Sequence, residues 1–232
     1  LGVAYGYAVA SPVLFGGVAA LLVALALWMA RERRPSAVEL RLLVDTGNVD
    51  EAEPYVVKQL ASALAVERRT ELLLLLGRCA ELRADFAEAG DVYESALGTA
   101  DPATSLELRD RRAFCLAASG QVEDARRILG LVGTRPRPFR EGDGVPRPLE
   151  VRARCVTAFR GGDHVTVLEL VDRSRATVET ELLPLDRALV YALEHVAASE
   201  LGRAPDRLSP LDATTTTWIG KLIPSFARYI DG

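Results

Sequence analysis

The chain has 232 residues, 49% apolar and 26% charged, with a formal net charge of −4. An isoelectric point near 5.4 speaks against nucleic-acid binding, which calls for a basic face. Mean hydropathy of +0.12 is high for a purely soluble chain, and much of the excess lies in residues 1–30, which hold no charged side chain.

Within that segment the run VLFGGVAALLVALALWMA, Val13 to Ala30, is 18 residues long. As a helix it would measure about 27 Å at roughly 1.5 Å per residue, close to a hydrocarbon core of about 30 Å. Tyr5 and Tyr7 at one end and Trp28 at the other suit the two interfaces. A secretory leader carries its basic residues before the apolar run, whereas here Arg31, Arg33 and Arg34 follow it. The expectation is a single-pass anchor with its basic flank over residues 1–34, the N-terminus outside and the remainder cytoplasmic. Gly16, Ala20 and Ala24 recur on one face of that helix, a spacing that lets a second membrane helix approach closely.

Pro35-Ser36 ends the anchor, with Ser36 placed to cap a helix. A first helix pair follows. Leu40, Leu43 and Val44 form an inward stripe, Gly47-Asn48 a turn, and Val49, Ala52, Val56 and Leu60 a second stripe, with Pro54 expected in its first turn.

The next stretch, Leu72 to Pro102, sets the pattern for the rest. Its first helix carries Leu76-Gly77, Cys79 and Ala80, and Ala84-Asp85 make the turn. Its second helix carries Phe86, Ala89, Tyr93, Ala96 and Leu97 at steps of three and four. Such a pair cannot bury its apolar face alone and needs similar pairs beside it. With Leu76-Gly77, Ala89, Tyr93 and the closing Pro102, this unit resembles a tetratricopeptide repeat, although Ala80 stands where that family has an aromatic.

Three further pairs repeat the pattern. One spans Ser105 to Val132, with Gly120 as the turn and Val122, Ala125, Leu129 and Val132 as the second face. Ala52 to Ala89 is 37 residues and Ala89 to Ala125 is 36, near the 34 usual for the family. Residues 133–148 then hold four prolines and three glycines, incompatible with a helix, and are basic through Arg135, Arg137, Arg140 and Arg147. They read as an exposed insertion, or as a contact loop for an acidic partner or anionic headgroups. A fourth pair turns at Gly161-Gly162 with Val167 in the alanine's place, and a fifth begins at Leu183 with Ala188, Leu189, Ala192, Leu193 and Val196 inward.

The expected fold is therefore all-α: an α-solenoid of about five helix-turn-helix repeats over residues 35–207, preceded by one transmembrane helix. Thr214–Thr217 read as a linker. Residues 208–232, apolar at Trp218, Ile219, Leu222, Ile223 and Phe226, read as a helix that caps the last unit or touches membrane or partner, kinked or split by Pro224.

No catalytic motif is present, and neither a cofactor, a metal ion nor a small-molecule substrate is expected. Cys79, Cys115 and Cys155 are 36 and 40 residues apart, with no close pair, and read as reduced packing residues. His164 and His195 read as a turn residue and a helix-surface residue. The resemblance implies a right-handed superhelix whose concave groove, lined by first helices, holds a peptide or helix of a protein partner. Matching the family's groove positions gives Arg78 and Glu81, Asp110 and Phe114, and Arg152 and Phe159. Arg78 stands where the carboxylate-gripping subfamily has an Asn. The expected function is a membrane-anchored scaffold or adaptor; the alternative is an integral accessory subunit bracing a larger membrane complex through its transmembrane helix.

Overall fold

Among the described residues, apolar stripes separated by turn residues fold as ten α-helices with no strand, in keeping with the all-α expectation. The computed structural model describes residues 23, 35–131, 146–204, 210–226 and 228. In chain order the helices are α1 (Ala37–Asp45), α2 (Val49–Ser62), α3 (Val66–Arg83), α4 (Phe86–Leu97), α5 (Pro102–Ala118), α6 (Val122–Ile128), α7 (Pro148–Arg160), α8 (His164–Glu181), α9 (Pro184–Glu200) and α10 (Ala213–Leu222). The expected anchor, with Gly16, Ala20 and Ala24, lies outside the described residues except for Val23. Among the described residues no helix is long and apolar enough to cross a membrane. Most of the basic insertion, residues 132–145, also lies outside them.

The chain divides into two compact units, residues 1–39 and 40–232. In the first, Ser36 and Glu39 cap each other reciprocally: the Ser36 N–H donates to Glu39 Oε2 at 2.7 Å and the Glu39 N–H to Ser36 Oγ at 3.2 Å. In the second, one device recurs. At Gly47, Ala84, Gly120, Gly162 and Gly202 the chain turns with positive φ just after α1, α3, α5, α7 and α9, and Gly130 does the same after α6. The next N–H reaches back to the carbonyl five residues earlier each time: Asn48 to Leu43, Asp85 to Ala80, Gln121 to Leu116, Leu131 to Arg126, Asp163 to Ala158 and Arg203 to Ala198. This is the Schellman stop, which satisfies carbonyls that the helix end leaves open. At Ala84, with φ 62°, a side chain occupies a conformation that glycine takes freely. Asp85 and Asp163 then cap the following helices by accepting the N–H of Glu88 and of Thr166.

Consecutive helices from α2 to α9 pack on one another, α5 also packs on α7, and α7 on α9. Ala52, Ala89 and Ala125 are fully buried, as is Val167 at the equivalent point of α8. Two apolar clusters result. One joins Leu40, Val44, Ala52 and Val56 to Leu72, Leu75 and Cys79 of α3; the other runs from α3 through to α10.

Several expectations need correcting. Pro54 lies inside α2 and not in its first turn, because α2 already begins at Val49. Thr214–Thr217 are helical and not a linker. Asp212 caps that helix by accepting the Thr215 N–H and hydroxyl, and Thr217 Oγ donates back to the Ala213 carbonyl. Pro224 neither kinks nor splits α10, which ends before it at Leu222.

Candidate functional site

Five helices and one tryptophan converge on a buried cluster of charges. Arg78 and Glu81 come from α3, Arg111 and Phe114 from α5, Arg152 from α7 and Asp186 from α9, with Tyr93 of α4 completing it. Arg78 forks onto Asp186, Nη1 to Oδ1 and Nη2 to Oδ2, both at 3.2 Å. Arg152 Nη1 donates to Asp186 Oδ1 at 2.6 Å and to Glu81 Oε2 at 3.2 Å, while Nη2 donates to Glu81 Oε1 at 3.4 Å. Arg111 Nη1 lies 3.5 Å from Glu81 Oε2. Glu81 also accepts the Tyr93 hydroxyl at 2.9 Å, and its backbone carbonyl accepts Trp218 Nε1 at 2.9 Å. The Arg152 guanidinium lies 3.9 Å above the Phe114 ring, a cation–π contact away from water.

Local sequence explains how these side chains fit. A Cβ at Gly77 would lie within 2.8 Å of three Tyr93 ring carbons, so the glycine makes room for the ring that reaches Glu81. Trp218 packs edge-on to Phe86 at 6.2 Å, which ties the C-terminal helix to the turn between α3 and α4.

The electrostatics follow from burial and pairing. Burial alone would raise the Glu81 carboxyl, but Arg152, Arg78 and Arg111 outweigh it and hold it at about 2. Asp186 is likewise held well below the carboxylate range: burial opposes the shift, and Arg152 and Arg78 overcome it. Burial and the neighbouring Glu81 carboxylate push the Tyr93 phenol and the Cys115 thiol upward. Burial raises Cys79 to about 11 and Cys155 to about 12, so neither carries an available thiolate near neutrality. Three guanidiniums face two carboxylates here, and Glu107, 38% exposed, takes Arg111 Nε at 2.9 Å. Such a cluster joins helices; it presents no group poised to exchange a proton near neutral pH. Among the described residues no set of His, Cys, Asp or Glu is placed to hold a metal ion.

A cavity of about 450 Å³ opens beside the cluster, between the first turns of α5, the start of α7 and the turn joining α8 to α9. Asp110 and Arg147 meet at its edge in a bidentate pair, Nε to Oδ2 at 3.0 Å and Nη2 to Oδ1 at 2.9 Å. Burial still leaves the Asp110 carboxyl raised, against the pull of Arg147.

The six residues expected to line an open groove are therefore distributed differently. Arg78, Glu81, Phe114 and Arg152 are brought together but buried, each at most 3% exposed, and face one another instead of a free surface. Asp110, 3% exposed, belongs to the cavity edge. Phe159 is half-buried and packs edge-on against His164 at 5.3 Å. The reason is geometric: α3 and α9 approach closely enough for Arg78 and Asp186 to pair directly. Arg111, Tyr93, Asp186, Arg147 and Trp218 were not singled out for the site. A signal existed for two of them. Asp186 shares a stripe with Leu189 and Leu193, and Arg111 shares one with Leu108 and Cys115, so each is a charge placed on an apolar face. No protein-family model, no curated protein and no solved structure matches this chain.

Proposed function

We propose that the chain is a membrane-anchored α-solenoid of tetratricopeptide-like repeats that serves as a scaffold or adaptor for a protein partner. The observation that carries this reading is the recurrence of one Schellman stop after α1, α3, α5, α7 and α9. A repeated helix–turn–helix unit stacked on its neighbours builds an extended protein-binding surface. The uncharged segment before Arg31 supplies the anchor, and Arg31, Arg33 and Arg34 favour a cytoplasmic repeat region. With Arg78, Glu81, Phe114 and Arg152 committed to one another, the partner contacts in this reading fall on the rims and outer faces of the repeats, and not on an open inner groove.

That same self-satisfied interior favours a second reading, an accessory subunit that braces a membrane complex through its transmembrane helix and has no exchangeable ligand. One experiment separates the two. Residues 1–34 are replaced by an unrelated single membrane span, and partner co-purification is measured from mild detergent. A scaffold that binds through its repeats keeps its partner. Loss of the partner, with the protein still in the membrane and still helical, supports the accessory subunit and removes the scaffold reading.

A further inference from the structure

The cavity beside the charge cluster has a size typical of ligand sites, about 450 Å³. Its walls are aliphatic, chiefly Leu106, Leu149, Leu182 and Leu183. Four carboxylates line it, Glu107, Asp110, Glu181 and Asp186, against two guanidiniums, Arg111 and Arg147. Both guanidiniums already pair with carboxylates. Arg147 gives Nε and Nη2 to Asp110 and also approaches Glu150 at 3.4 Å. Arg111 gives Nε to Glu107, and its buried Nη1 lies 3.5 Å from Glu81 Oε2 without a hydrogen-bond partner. Asp186 is likewise consumed by Arg78 and Arg152. Apart from the buried Arg111 Nη1, the unused capacity belongs to carboxylates. Glu181 is exposed and forms no ion pair among the described residues, Glu107 is 38% exposed, and each Asp110 oxygen keeps a second lone pair. An anion entering here would meet uncompensated negative charge, whereas a cation on an aliphatic stem would meet complementary walls and rim.

Resting on the scaffold reading above, we propose that this cavity receives a partner-protein segment in which a lysine or arginine is flanked by leucine-like side chains. The aliphatic stem and its neighbours lie along Leu106, Leu149 and Leu183, and the cationic head meets Glu107, Glu181 and the outer face of Asp110. The mouth is open to such a segment, because Leu106 is 39% exposed and Ala103 and Glu181 are exposed beside it.

The test uses the full chain in mild detergent and a dye-labelled peptide, acetyl-Ala-Leu-Lys-Leu-Ala-amide, followed by fluorescence anisotropy. Saturable binding is expected, weakened at least about tenfold when the peptide's lysine is replaced by glutamate. A loss of about tenfold or more is also expected in Leu106→Arg, which places a like charge in the mouth. If circular dichroism shows that Leu106→Arg has lost helix, Glu181→Arg at an exposed position gives the same reading. Equal or tighter binding of the glutamate peptide overturns the proposal, as does unchanged affinity in a folded Leu106→Arg or Glu181→Arg. Absence of saturable binding overturns it too. Binding of hexylamine but not of the peptide overturns the choice of a protein segment as the occupant. Partner co-purification is measured on the same variants. A partner retained where the peptide is lost would overturn the cavity as the contact while leaving the scaffold reading in place.

Discussion

The two faces of α3 are built on different physics. On one, Leu72, Leu75 and Cys79 join Leu40, Val44, Ala52 and Val56 in an apolar cluster, with the partly exposed Arg83–Glu53 pair also joining α3 to α2. On the other, Arg78 and Glu81 enter a network with Arg111, Arg152 and Asp186. The apolar face gains free energy in proportion to area, whatever the details of contact. The ionic face gains only when every partner is present, since a buried charge left alone costs more than the pair contributes. The α1–α3 region is thus held mainly by area, and the α3–α5–α7–α9 face by a particular geometry.

A pair of volume-conserving substitutions breaks this comparison most sharply. Glu81→Gln keeps the shape but leaves buried Arg78 and Arg152 to share Asp186 and Arg111 with Glu107 alone, and it should cost about 3–5 kcal/mol. Leu72→Met on the opposite face should cost less than about 1.5 kcal/mol. Denaturant midpoints measured on both variants test the contrast, and equal losses would erase it.

Acid separates the faces next. The folded value of Glu81, about 2, lies below its ordinary 4.5, and Asp186 is shifted the same way. Depressed carboxyls contribute stability that is complete above their ordinary range and is lost as pH falls through the folded values. Stability should therefore decline from about pH 4.5 towards pH 2. The decline should be shallower in Glu81→Gln, which lacks one of the two titrating groups. Urea titrations at several pH values across that window give the comparison, and parallel curves would contradict it.

The smallest effect concerns the turn that ends α3. Ala84, at φ 62°, holds the position that Gly47, Gly120, Gly162 and Gly202 fill after α1, α5, α7 and α9. Ala84→Gly should raise stability by about 1 kcal/mol, read as an upward shift in the thermal midpoint.

What the sequence reveals follows the same division. Buried area leaves a periodic trace, so the stripes through Ala52, Ala89 and Ala125 and the glycine stops were readable before any coordinates. The meeting of distant charged side chains leaves none, because it depends on how non-neighbouring helices are placed in space. Arg78 meets Asp186 from 108 residues away. Arg78, Glu81 and Arg152 were legible as inward-facing positions of first helices, but whether such positions meet a ligand or each other is decided by their separation in space. The helical Thr214–Thr217 escaped notice for a local reason: Asp212 and the threonine hydroxyls satisfy backbone groups that β-branched residues otherwise disfavour.

The most direct measurement of the central claim, that buried charges join α3 to α9, is a double-mutant cycle on Arg78→Ala and Asp186→Ala. The two residues are far apart in the chain and exchange two hydrogen bonds at 3.2 Å. A coupling of about 1–3 kcal/mol is expected from the denaturant midpoints of the four proteins. Additivity of the two single losses within about 0.5 kcal/mol would show that the two helices do not meet through these charges.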